Sequence, residues 1–176
     1  MKTYFYKQAG QINATDVQMV VEEHGEQIAS VQRIYSNRIK KLVDGYFDYR
    51  YFVMYMVCDR NGEAIYQVKK IFRRGKVWFE ARHLQTKEKY IISYENWRIG
   101  VPELFINGGD VKMKIDKEME DWSTFSIDGE MVARWKADYD EQADEFFITL
   151  EVNDTCTVND PKFYIGIAQA TLFIGV

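Results

Sequence analysis

Long apolar runs, proline, cysteine and histidine are all scarce in this chain, and the residue patterns that announce an enzyme are missing. With 2 Pro but 15% aromatic residues, 12 of them Tyr, the composition suits strands and excludes a disordered segment. Cys58 and Cys156 are the only cysteines and lie far apart. They read as two reduced thiols, since a disulfide fits poorly with a protein kept inside the cell. The opening "MKTYFYKQAGQ" has no apolar core of the kind a secretory leader needs, so the expected location is cytoplasmic, with the membrane surface as a second site of action.

No Gly-rich phosphate loop, HExxH, CxxC, GxSxG or calcium-loop pattern occurs. His24 and His83 have no Cys or carboxylate neighbours at metal-ligand spacing, so neither metal nor cofactor is expected and both read as structural or solvated. Glu118, Glu120 and Asp121 form one acidic cluster, and Asp138, Asp140, Glu141, Asp144 and Glu145 another. The second lacks the central Gly of a true calcium loop and reads as a solvated hairpin. A basic excess is missing too. Lys+Arg 23 against Asp+Glu 27 gives a net charge of −4, which argues against a nucleic-acid partner.

What the chain does contain is repetition. "GEQIASV" from Gly25, "GEAIYQV" from Gly62 and "GEMVARW" from Gly129 each carry Gly-Glu, an aliphatic residue three past the Gly, and Val or Trp six past it. Each follows a strand-like run: "VQMVVEEH", "FVMYMVCDRN" and "WSTFSID". Strand, Gly-containing turn, strand is a β-hairpin, and Asn61-Gly62 and Asp128-Gly129 favour the type I′ turn. A regular strand puts the +3 and +6 positions on opposite faces. Some of these strands should therefore be bulged, or apolar on both sides.

Further hairpins surround Arg74-Gly75 and Gly108-Gly109, "KYIISYE" follows the turn "QTKEK", and "EFFITLEV" follows "DYDEQAD". With "TYFYK", about twelve strands fit before Asn153. "SVQRIYSNRIKKLVDG" spaces Val31, Ile34, Tyr35, Ile39 and Leu42 as in a helix, so a short helix near 33–43, or an irregular crossover, interrupts the series and Gly45 should end it. A dozen hairpin-linked strands predict a sandwich or a closed barrel, and a barrel of that size is too wide for its own side chains to fill.

The tail "FYIGIAQATLFIGV" supplies the filling. It carries no charge. As a helix it is about 21 Å long, short of the ~30 Å hydrocarbon core of a membrane. Asp160 is a natural N-cap with Pro161 at the first helical position. Phe163, Tyr164, Ile165, Ile167, Leu172, Phe173 and Ile174 then cover every face, which is the pattern of a helix buried in protein. The expectation is one domain over 1–176: strands over 1–152 and a central buried helix over 160–174.

These features resemble the tubby C-terminal-like fold: hairpins with "G-E-x-[IV]" just after the turn, about twelve strands, and a charge-free C-terminal helix. The chain is most similar to its LURP-one-related group, whose bacterial members are small standalone domains. The resemblance spans essentially the whole chain and implies a closed barrel threaded by the C-terminal helix. It departs from the pattern in the inserted "YSNRIKKLVDGYFDYR". It also implies a non-catalytic binding or interaction module, with a protein partner or anionic phospholipid as ligand. Tubby proteins bind phosphoinositide headgroups through basic residues on the barrel wall, and the related scramblases work at membranes.

The best functional candidate in this chain, with no family ligand residue carried over to it, is the basic run "KKIFRRGK", where Lys69, Lys70, Arg73, Arg74 and Lys76 gather at one hairpin tip, with Arg38, Lys40 and Lys41 as a weaker second patch. It reads either as a charge-solubilised turn or as an anionic-surface site. Trp78 and Phe79 beside it read as barrel core. An attraction of about 1 kcal/mol per basic residue, opposed by the net charge, would be weak and screened by salt.

Overall fold

The computed structural model describes residues 1–96, 103–118 and 120–174. Twelve strands follow one another: β1 Lys2–Ala9, β2 Gln18–Glu22, β3 Gln27–Arg33, β4 Met54–Asp59, β5 Ala64–Arg73 and β6 Lys76–His83. Then come β7 Lys89–Asn96, β8 Glu103–Gly108, β9 Val111–Asp116, β10 Ser123–Ile127, β11 Glu130–Asp140 and β12 Glu145–Val152. Each pairs antiparallel with its neighbours in sequence, and β1 zips onto β12 from Lys2↔Val152 to Ala9↔Glu145. The sheet is thereby a closed barrel. Closure leaves no exposed edge for aggregation.

The three repeats share one structural device. Pairing shifts register between Val20 and Val21, between Val57 and Cys58, and between Phe125 and Ser126. In each case the unpaired residue opposite the shift lies three past the Gly: Ile28, Ile65 and Val132. A bulge at that point resets the alternation, so Val31, Val68 and Trp135, six past the Gly, also reach the core. Turn chemistry differs between copies. Asp128 and Gly129 both have positive φ, as type I′ requires. At Asn61-Gly62 only Gly62 does, and the turn is a longer one in which the Asp59 N–H donates to the Glu63 carbonyl at 2.9 Å.

Inside the barrel lies α2, Pro161–Thr171, with the Asp160 side chain accepting from the Lys162 N–H. Every residue from Phe163 to Thr171 is buried. Phe163 meets Tyr66 and Tyr90 edge-on, and Tyr164 meets Phe125. Gly166 allows a close approach to the wall, because a Cβ there would sit 2.9 Å from Val68 Cγ2. Gln169 donates to Gln8 at 3.0 Å near the far rim. The helix is the barrel's core. Phe79 joins that core at 2% exposure, whereas Trp78 points outward and is only half-buried.

Among the described residues, the one interruption between successive strands that carries its own helix is the segment between β3 and β4. Val31 and Arg33 still belong to β3 and face the core, so the helix α1 begins only at Arg38 and ends at Asp44. Gly45 caps its end, as expected, its N–H donating to the Leu42 and Val43 carbonyls, and a 3-10 turn then continues over Gly45–Phe47. Reversal comes at Asp48 and Tyr49, both with positive φ.

Candidate functional site: a basic pocket beneath the α1 insertion

Charge is unevenly shared along this acidic chain. Between Arg33 and Lys76, eleven Lys and Arg stand against four Asp and Glu, while the remainder holds twelve against 23. Apart from Arg60, which pairs with Glu26 at the opposite end of these strands, the fold brings these cations to one rim, because β3 ends, β4 begins and β5 ends there.

The insertion is pinned to that rim by Asp44, which is fully buried. Its Oδ2 accepts from Arg33 at 2.8 Å and from the Tyr35 hydroxyl at 2.9 Å. Its Oδ1 accepts from the Tyr51 and Phe52 N–H groups at 3.0 and 2.8 Å. The Arg33 guanidinium also donates to the carbonyls of Tyr49 and Ile12. One carboxylate thus ties together strand, helix and returning loop. A helix of seven residues is too short to persist alone, so this clasp imposes its shape.

Between the insertion and the β4–β5 wall lies a pocket of about 570 Å³ whose lining includes Tyr35, Lys40, Tyr51, Lys69, Lys70 and Phe72. That size suits a small ligand or a lipid headgroup. Lys40 Nζ lies 5.5 Å from the centre of the Phe52 ring. Lys69 Nζ is 3.5 Å from Glu80. Lys70 donates to the Arg50 carbonyl at 2.9 Å and sits 4.9 Å from the Phe72 ring centre. Burial, with the Arg50 charge second, pushes the Lys70 pKa below the ordinary lysine value. The rings of Tyr51 and Phe72 stack 4.3 Å apart and 9° from parallel.

The five basic residues singled out from the sequence therefore divide. Lys69 and Lys70 line the pocket. Arg73, Arg74 and Lys76 are exposed at the β5–β6 tip, where Arg74 and Gly75 both have positive φ. Tyr35, Arg50, Tyr51 and Phe52 were missed. The uneven charge of residues 33–76 was the available signal, yet only folding shows that the insertion roofs the lysines.

Chemically, the arrangement gathers cations and ring faces against two nearby carboxylates, Glu80 beside Lys69 and the buried Asp44, which is already paired with Arg33. It suits an anion and offers no nucleophile beside a base. Elsewhere, the His83 Nδ1 accepts from the Thr86 N–H at 3.2 Å and its ring meets Tyr66 edge-on. Asp140 accepts from the Gln142 and Ala143 N–H groups of its own turn. Cys58 and Cys156 are free thiols. Among the described residues no His, Cys, Asp and Glu group has the geometry to hold a metal, and no helix is long and apolar enough to cross a membrane.

Comparison with known families decides the affiliation, because the Tubby C-terminal like domain family matches residues 4–174. The chain belongs to that family. The match takes in the barrel, the α1 insertion and the threaded helix alike. At the family level such a tubby-like domain is a non-catalytic binding module. No curated protein and no solved structure matches the chain.

Proposed function

We propose that this tubby-like domain binds anionic phospholipid through its basic rim, with the headgroup phosphate entering the pocket beneath α1. Lys70 carries the reading. A half-buried ammonium with a depressed pKa is expensive to keep charged, and such perturbed groups in clefts are characteristic of binding sites. A phosphate drawn to Lys70, Lys69 and Lys40 would offset that expense by charge-assisted hydrogen bonds. Arg73, Arg74 and Lys76 serve as the outer electrostatic approach. The three Gly-Glu repeats favour placing the chain in the LURP-one-related group.

Sedimentation with liposomes tests the reading. The protein should pellet with phosphatidylcholine vesicles containing phosphatidylglycerol and stay in solution with phosphatidylcholine alone. Charge reversal of Arg73, Arg74 and Lys76 to Glu should weaken binding, and Lys70→Met should weaken it without altering the outer charges. Equal pelleting of all variants would reduce the patch to a solvated turn.

A further inference from the structure

Among its exposed cations α1 also presents large apolar side chains to solvent, which a surface helix normally turns inward. Ile39 is 72% exposed, Leu42 71% and Tyr46 85%. Their i, i+3, i+7 spacing aligns them on one side, while the charged Asp44 is the residue turned inward. Phe47, Tyr51 and Phe72 continue the exposed strip: their rings lie 5.2 Å apart from Phe47 to Tyr51 and 4.3 Å from Tyr51 to Phe72. Among the described residues nothing covers this ridge. The Arg33–Asp44 clasp holds it outward and fixes it there.

Cations surround the ridge. Arg38, Lys40 and Lys41 flank it on the helix, Arg50 follows on the returning loop, and Arg73, Arg74 and Lys76 stand at the adjoining tip. Asp48 is the only exposed acid between Arg38 and Arg50. An apolar strip bordered mainly by cations, with Tyr and Phe at its margin, has the layering of a membrane interface: acyl boundary, aromatic belt, anionic headgroups.

We infer that the α1 ridge enters the acyl-chain boundary of an anionic bilayer, so that the domain anchors by apolar insertion as well as by charge. This inference rests on the lipid-binding reading above and adds a mode of attachment to it. Charge alone gives binding that salt abolishes. Insertion leaves a component that salt does not screen, because the transfer of Ile39, Leu42 and Tyr46 out of water is not electrostatic.

The test compares the full chain with the triple variant Ile39→Ser, Leu42→Ser, Tyr46→Ser on phosphatidylcholine/phosphatidylglycerol vesicles at 0.1 M and 1 M NaCl. All three residues are exposed, so the variant should melt like the wild type. Wild type should keep measurable binding at 1 M salt. The variant should bind at least tenfold more weakly at 0.1 M and lose all binding at 1 M. A Leu42→Trp variant should add an emission component quenched by lipids brominated on the acyl chain. Wild-type binding that disappears in salt and is unchanged by the triple substitution overturns insertion and leaves the electrostatic reading standing. No wild-type binding to any anionic vesicle overturns the lipid reading itself. A dimer in solution that the triple variant converts to monomer overturns insertion by making the ridge an interface between copies.

Discussion

Arg33 and Asp44 meet at 2.8 Å, with side chains 1% and 0% exposed. They lock the insertion to the end of β3. The Tyr55 hydroxyl, beside both Arg33 and Gln169 of α2, links this clasp to the last turn of the central helix. Candidate site and barrel core are therefore one packed unit.

Removing one partner of that pair should be severe. Asp44→Ala strands a buried guanidinium and leaves the Tyr51 and Phe52 N–H groups unpaired, which is expected to cost about 3–5 kcal/mol. Urea unfolding measures the loss. Limited proteolysis should show cleavage within residues 36–52 in the variant and none in the wild type under the same conditions.

Cutting the chain before Pro161 should abolish soluble folding. The deletion removes the contacts of α2 and those that the inward faces of the strands make with it, and a whole domain is stable by only about 5–15 kcal/mol. Ile167→Asp is the point-mutation counterpart, since Ile167 is fully buried and an unpaired charge there has no compensation. A cooperative, near-normal melt from either protein would contradict the role assigned to the helix.

Gly166→Ala should destabilise even though alanine is the better helix former. A new Cβ would lie 2.9 Å from Val68 Cγ2 and 3.3 Å from Val57 Cγ2, and valine side chains are stiff. Overpacking costs roughly 1–3 kcal/mol, against a propensity gain of up to about 1 kcal/mol. For each kcal/mol of net loss the melting temperature should fall by roughly 2–4 °C.

Lys70 sets an expectation for pH. Its folded-state pKa lies below the ordinary lysine value, so its charged form opposes folding below that lowered pKa. The penalty is relieved as pH rises from it toward the ordinary value. Lys70→Met should therefore be the more stable protein near neutrality, with the advantage shrinking at alkaline pH. Anion binding runs the other way. It should weaken as pH rises through the Lys70 pKa, before the exposed lysines titrate, and Lys70→Arg should retain binding over that range. Vesicle binding and thermal melts across pH 7–10 check both directions.

Much of this architecture is written in local patterns. The alternation of strands, the Gly turns and the charge-free tail behind Asp160-Pro161 depend on near neighbours in sequence, and so the twelve strands and the buried helix are legible without coordinates. The parity conflict between Ile65 and Val68, or Val132 and Trp135, even announces the bulges. Other features depend on groups brought together from afar. The β1–β12 closure joins the two ends of the strand series. Helical spacing from Val31 onward is overridden because pairing with β4 holds Val31 and Arg33 in β3. Asp44 looks like a surface acid until Arg33, Tyr35 and the Tyr51 and Phe52 N–H groups converge on it. Likewise Lys70 is one more cation in a basic run until the insertion folds over it, and Ile39 and Leu42 have the spacing of core residues. Periodicity reveals that a helix has an apolar face; which way that face turns is decided by the buried charge on its other side.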